Sequence, residues 1–310
     1  MGDFDVLVIG GGVAGMSAAK KAKDHGLSVL LLEALYTGGK TFKTELITDY
    51  PGFPEGISGE KLTDLLEEEI RNLGVKILHE RVTSMDFSAP LKHIKTDRGE
   101  YSCPAVIIAT GIRPLEMGLT NERGLSGMGI FHSAKDEGFR VAGKTVAVFG
   151  YGNAALTEAL ILSEKCEKVY LICPTPTLGA SKKYNDLLIR SKNITLVPET
   201  LIANAEQGMF LLEEMTLINR VTTEFKVVPV EAIFVAPMPE PDSDVLLGSV
   251  RMTDEGAVIT DGNLGTSKEG VFVAGGVREG SCFTVVEAIS DGFRAADSAN
   301  NFIVENSIVY

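Results

Sequence analysis

Gly10, Gly12 and Gly15 stand as G-x-G-x-x-G directly after the apolar run Asp5 to Ile9. Dinucleotide chemistry needs glycine at each place: the first for a tight turn, the second for backbone approach to a pyrophosphate, the third for close helix–strand packing. Ala14 to His25 reads as the following helix, Gly26 as its stop, and Ser28 to Leu32 as the next strand, closed by Glu33. A carboxylate at that strand end accepts the hydroxyls of an adenosine ribose and makes a 2′-phosphate unwelcome. The ligand expected at this motif is therefore FAD or NAD rather than NADP. Strand, turn, helix, strand and terminal acid together are far more specific than the glycines alone.

The elements that position this site recur later. Val146 to Phe149 reads as a strand, Gly150-Tyr151-Gly152-Asn153-Ala154-Ala155 as the turn, the following residues to Ser163 as a helix, and Lys168 to Cys173 as a strand. Two such units in one chain imply two nucleotide-type domains rather than one doubly wound sheet. Between them, Leu62, Leu65, Leu66 and Ile70 share one face of an amphipathic helix over 60–73. Residues 75–103 alternate loosely and predict a small antiparallel set, and Tyr101 to Ala109 a strand running into Thr110-Gly111. The segment 193–236 is strand-rich, 237–244 linker-like, 271–275 an apolar strand, and Val285 to about Phe302 the last helix.

Composition narrows the function. The chain has 310 residues, 29 Lys plus Arg against 42 Asp plus Glu, and a net charge of -13 without a strongly basic run, which excludes nucleic-acid binding. No apolar run approaches a membrane span, and the first residues lead straight into the glycine motif, so a cytoplasmic protein without membrane association is expected. The four cysteines, Cys103, Cys166, Cys173 and Cys282, are scattered, which argues against a disulfide scaffold or a metal cluster.

At this point the chain resembles the low-molecular-weight thioredoxin reductase family of FAD flavoproteins. Thr37-Gly38-Gly39 and the stretch Ile47 to Gly59, containing Asp49, are similar to that family's flavin-facing loop. Ala109-Thr110-Gly111 resembles its ATG turn. Gly150-x-Gly152-x-x-Ala155 with Glu158 resembles the opening of its pyridine-nucleotide domain, and Thr266 to Arg278 the segment that returns to the flavin. The resemblance implies an α/β fold of two Rossmann-like, three-layer domains, the second inserted into the first. The FAD domain would comprise 1–112 and 245–310, the NAD(P)-binding-like domain 113–244, and the assembly would be a homodimer. It also implies cofactor contacts from Gly10, Gly12, Gly15, Glu33, Gly38, Gly39, Asp49, Thr110, Gly111, Gly276 and Thr284, and from Gly150, Gly152 and Glu158.

Three departures redirect the expected chemistry. Where the family carries a redox CxxC, this chain has Ser133 and Asp136, which cannot exchange disulfides. Where the family holds the NADPH 2′-phosphate with arginines, the chain reads Pro174 to Gly179, with Lys182 and Lys183 beyond. NADPH is thereby disfavoured, and NADH is left open. The family's Gly-Asp pair near the flavin reads Gly275-Gly276, and its Arg-Gln pair reads Phe283-Thr284. Candidate catalytic residues are Cys282 and His132. Cys282 adjoins a helix start that could lower a thiol pKa, or else packs as a small buried residue. His132 could relay a proton, or else lies on a polar surface loop. Thr284 either faces the flavin or simply caps the last helix. The function expected is an FAD-dependent oxidoreductase without a dithiol, exchanging electrons with ferredoxin or another small carrier. The alternatives are a regulatory flavin-binding protein and an NADH-dependent flavin reductase or oxidase.

Overall fold

A computed structural model of the chain describes residues 3–114, 117–236 and 239–307. The chain divides into two units, Met1–Arg113 with Glu240–Tyr310, and Pro114–Pro239. The first unit opens with β1 (Val6–Ile9), α1 (Val13–Asp24), β2 (Val29–Glu33), the short α2 (Gly39–Phe42), α3 (Gly59–Asn72) and β3 (Lys76–His79). Contrary to the expected antiparallel set over 75–103, β3 pairs parallel with β2. It follows the crossover helix α3, and a strand fed by a crossover docks parallel. The antiparallel sheet starts later, with β4 (Val82–Asp86), β5 (Lys92–Thr96) and β6 (Glu100–Cys103). The strand expected over 101–109 is two strands, β6 and β7 (Ala105–Ile108). Pro104 separates them, because it has no N–H to continue a ladder.

The chain then passes through β8 (Ile112–Pro114) into the second unit. There it forms α4 (Glu122–Leu125), β9 (Ile130–Phe131), α5 (Ala134–Glu137), β10 (Thr145–Phe149), α6 (Gly152–Ser163), β11 (Lys168–Ile172) and α7 (Lys182–Arg190). β12 (Ile194–Val197), β13 (Thr200–Gln207), β14 (Leu212–Asn219), β15 (Phe225–Pro229) and β16 (Ala232–Val235) follow. A parallel sheet runs in the order β12-β11-β10-β16-β9, and β13-β14-β15 make an antiparallel sheet.

The chain returns through β17 (Pro239–Pro241), which pairs with β8. Part of the expected linker is thus a strand, and its first two residues, Pro237 and Met238, lie outside the described residues. Arg113 ties the outgoing and returning segments by ion pairs to Glu240 and Asp244. β18 (Val271–Val273) and α8 (Val285–Ser307) complete the first unit, the helix running past Phe302. Its parallel sheet has the order β18-β7-β1-β2-β3. β1 and β7 are buried throughout, as continuous apolar runs in a parallel sheet covered on both faces require. Ala14, Ala18, Ala295, Ala296 and Ala299 share one core cluster of α1 and α8. Gly292 lets the two helices approach closely, since a Cβ there would lie 2.3 Å from the Ala14 carbonyl oxygen.

Candidate functional site

In the first unit the candidate residues gather where the parallel strands end. Gly10 follows β1, Glu33 closes β2, Thr110 follows β7, and Gly275-Gly276 follow β18. That edge is where open α/β sheets bind ligands. Gly10 has φ 106°, and a Cβ there would sit 2.3 Å from the Ala109 carbonyl oxygen. A Cβ on Gly15 would meet the Gly10 carbonyl oxygen at 1.9 Å, so these two glycines are demanded by packing. Gly12 differs: a Cβ there meets nothing within 4 Å, and its backbone opens the N-terminus of α1 toward free space.

Glu33 frames that space. Its Oε2 accepts from the Gly11 N–H at 2.7 Å and its Oε1 from the Leu35 N–H at 2.8 Å. Each carboxylate oxygen retains capacity for a further donor. The Gly38 N–H donates to the Gly11 carbonyl at 2.8 Å, drawing the Gly38-Gly39 turn against the glycine motif. Gly111 sits at φ 79°, and its carbonyl accepts from the Asp242 N–H at 3.0 Å. The Thr110 Oγ1 is buried and has no hydrogen-bond partner in the structure. An unsatisfied buried hydroxyl costs about 1–3 kcal/mol. The open face at Gly12, the paired carboxylate and the orphaned hydroxyl fit a bound dinucleotide that brings its own donors and acceptors. No hydrogen bond ties the exposed Asp49 to this set among the described residues.

The segment between β18 and α8 is fixed by charge. Arg278 pairs with Asp291 through Nε and with Glu287 through Nη2, the latter at 2.7 Å. Asp291 is 1% exposed and also accepts from the Gly275 N–H at 3.2 Å. On Oε2, the oxygen that Arg278 leaves free, Glu287 takes both the Ser281 hydroxyl at 3.1 Å and the Cys282 N–H. Sequence reasoning missed this network. Its signal was the i, i+4 spacing of Glu287 and Asp291 at the start of the last helix. A Cβ at Gly276 would lie 2.7 Å from the Ile112 side chain, so this backbone has no room for an aspartate unless Ile112 moves. The Thr284 Oγ1 accepts from the Glu287 N–H at 3.3 Å, which is an N-cap bond. Phe283 holds φ 58° while 47% exposed. Cys282 is exposed, which overturns its reading as a buried packing residue. The hydrogen-bonded loop before α8 turns it to solvent. Lys40, also missed, follows Gly39 in α2, and burial pushes its ammonium below the ordinary range.

The second unit repeats the turn but occupies part of it. Gly150 and Gly152 have φ 155° and 73°. The Gly152 N–H donates to the Leu178 carbonyl, and the Asn153 Oδ1 accepts from the Ser181 N–H at 2.8 Å. Leu178 is itself buried in the core of the unit, so the loop after β11 is anchored at the start of α6. One Glu158 oxygen accepts from the Ala134 N–H, so this residue holds the first turn of α5. Burial pushes its carboxyl above the ordinary range. Ser133 and Asp136 cap the same helix. The Asp136 N–H donates to the Ser133 Oγ at 3.2 Å, and the hydroxyl donates to the Asp136 carboxylate at 2.8 Å. His132 is exposed, and its backbone N–H donates to the Glu137 carboxylate at 3.2 Å. All four cysteines are free. Burial pushes the Cys103 thiol up to about 12 and the Cys166 thiol to about 11, which keeps both protonated near neutral pH.

Two Rossmann-type units, the first with its glycine turn and a strand-end carboxylate gathered at one sheet edge, define a dinucleotide-dependent oxidoreductase. The chain belongs to the pyridine nucleotide-disulphide oxidoreductase family, whose sequence profile matches residues 4–292. It is a thioredoxin reductase-like flavoprotein, and its family binds FAD. It is 32% identical over 309 residues to a thioredoxin reductase of Peptoclostridium litorale, covering 97% of this chain and 98% of that one. A thioredoxin reductase of Treponema pallidum is 32% identical over 301 residues, covering 97% of each chain. The crystal structure of Lactococcus lactis thioredoxin reductase matches with TM-score 0.76 and 27% identity, over 98% of this chain and 100% of that one. The T. acidophilum thioredoxin reductase matches with TM-score 0.72 and 28% identity, over 98% and 99%. No helix among the described residues is long and apolar enough to cross a membrane. No cluster of His, Cys, Asp and Glu suited to a metal ion occurs among them.

Proposed function

We propose that the chain is an FAD-dependent oxidoreductase that works without a dithiol relay and exchanges electrons with an external carrier. The observation that carries this reading is the bonding of Ser133 to Asp136. The positions that resemble the family's redox pair form a helix cap instead. Neither side chain can attack a disulfide. The buried, protonated thiols of Cys103 and Cys166 offer no substitute.

Gly10, Gly12, Gly15 and Glu33 hold the adenosine and pyrophosphate half of FAD, with Gly38 and Gly39 closing over it. Thr110, Gly111, Gly276 and Thr284 border the flavin half. FAD supplies the electron-transfer chemistry when bound. Glu33 fixes the ribose through two acceptor oxygens already oriented by the Gly11 and Leu35 amides. The Thr110 hydroxyl gains the partner it lacks. Arg278, through Asp291 and Glu287, keeps the 275–284 segment in one conformation beside that border. Cys282 stands at its exposed edge.

Pyridine nucleotide is disfavoured as the electron donor. Gly152, whose N–H belongs to the second motif, already serves the Leu178 carbonyl. Pro174 to Gly179 carries no cation for a 2′-phosphate. An anaerobic titration of the FAD-loaded protein with NADH, NADPH and reduced ferredoxin tests the reading. Bleaching of the flavin by ferredoxin, with little or slow bleaching by either nucleotide, is expected. Rapid reduction by NADPH together with turnover of thioredoxin disulfide would refute it.

A further inference from the structure

We propose that the outward face of α7 is the docking surface for a small acidic electron-carrier protein, an inference that rests on the external-carrier reading above. Tyr184 and Leu188 turn α7 toward the core of the second unit, against which both pack. At 100° per residue the opposite side gathers Lys182, Lys183, Asp186, Ile189 and Arg190, with Leu187 on its flank. All six are exposed, Ile189 by 81% and Leu187 by 38%. The helix buries no residue completely. Five of the six line a shallow groove of about 390 Å³.

The charge on this face runs against the rest of the molecule. The chain carries -13, yet three cations and one acid share the face, and Lys192 lies just beyond it. None of Lys182, Lys183 and Arg190 enters an ion pair among the described residues. Unpaired surface cations in an acidic protein attract a partner of the opposite sign locally, while the overall charge repels extended polyanions. The nine-residue helix spans about 13 Å, too short a track for the many phosphates that nucleic-acid affinity requires. Leu187 and Ile189 supply apolar contact beside the cations, the mixture that protein interfaces use. A face of this size makes a small, short-lived complex, the class to which electron-transfer encounters belong.

The test uses the full-length FAD-loaded protein and a reduced acidic [4Fe–4S] ferredoxin as probe. Flavin bleaching is followed by anaerobic stopped flow across ionic strength, and binding of the oxidised ferredoxin by calorimetry. Reversal of the face (Lys182→Glu, Lys183→Glu, Arg190→Glu) is expected to slow bleaching at low salt by about tenfold or more and to flatten its salt dependence. Ile189→Ser should weaken binding while keeping the salt dependence, which separates apolar contact from charge without disturbing the helix interior. Reversal of Lys61, Lys95 and Lys268 in the first unit should leave the rate as in the wild type. Undiminished bleaching by the α7 variant overturns the surface and leaves the external-carrier reading standing. Binding at α7 without flavin reduction overturns the carrier reading and, with it, α7 as an electron-carrier surface. Absence of any binding or bleaching with the wild type overturns both.

Discussion

Substituting Gly12 by alanine separates folding from cofactor binding at one position. Gly12 has φ -72° and ψ -178°, which any residue adopts, and a Cβ there meets no atom within 4 Å. The apoprotein should therefore fold as well as the wild type or gain about 0.4–1 kcal/mol from a stiffer unfolded chain. The added methyl points into the space that the cofactor fit assigns to the pyrophosphate. Holding the phosphates back from the amides at the start of α1 weakens two or three charge-assisted hydrogen bonds. Each is worth about 1.5–3 kcal/mol, so even the low end gives a loss of about 3 kcal/mol, or roughly two powers of ten in affinity. Thermal unfolding of the apoprotein and calorimetric titration with FAD read the two effects separately. The companion Gly15→Ala should fail differently, by unfolding, because its Cβ would lie 1.9 Å from the Gly10 carbonyl oxygen. Wild-type FAD affinity in Gly12→Ala would refute the placement of the pyrophosphate at this turn.

Asp291→Asn keeps the acceptor for the Gly275 N–H but removes one of the two carboxylates on the partly buried Arg278, Glu287 remaining, and should cost about 1.5–3 kcal/mol in urea unfolding. A thiol reagent such as DTNB applied to the native protein should label one cysteine quickly, Cys282, and the other three after unfolding, with Cys282→Ser abolishing the fast phase. Burial raises the folded-state pKa of Glu158 above its unfolded value, so its ionisation opposes folding. That penalty is absent below the unfolded pKa and grows as pH rises to the folded one. Glu158→Gln, which retains an acceptor for Ala134, should therefore be more favourable relative to wild type at pH 7 than at pH 4, as measured by denaturant midpoints.

Much of the first unit was legible because its signals are local and mutually reinforcing. Gly10, Gly12, Gly15 and Glu33 need one strand, one turn, one helix and a second strand to be brought together, and each of those is written in a run of apolar residues with clear breakers. β3 was misread because Lys76–His79 is short and only half apolar, so its parallel partner is decided by the crossover through α3 rather than by its own pattern. The break at Pro104 was visible as a residue and was overridden by the apolar run after it. Arg278, Glu287 and Asp291 offered in sequence only the i, i+4 spacing of the two acids, because three common charged residues become a network only when the turn after β18 folds back on α8. Asp49 shows the converse: a position matched by resemblance stands exposed, with no hydrogen bond to the cradle among the described residues.

The same distinction bears on how the two glycine turns differ, since a Cβ on Gly152 meets nothing within 4 Å, as at Gly12. The two turns share their glycine spacing up to the last position, and each begins a helix after a buried parallel strand. What differs is the loop after the second strand of each unit. In the first, Gly38 approaches as a donor, placing its N–H on the Gly11 carbonyl, while Glu33 holds the Gly11 N–H from the side. In the second, Leu178 is drawn into the core and presents a carbonyl to the Gly152 N–H. A carbonyl oxygen carries the same sign of partial charge as a phosphate oxygen, so it satisfies that amide, as the Glu33 carboxylate satisfies the Gly11 N–H in the first turn. The two units therefore differ less in their glycines than in which motif amide is engaged: Gly11 by the Glu33 carboxylate in the first, Gly152 by the Leu178 carbonyl in the second.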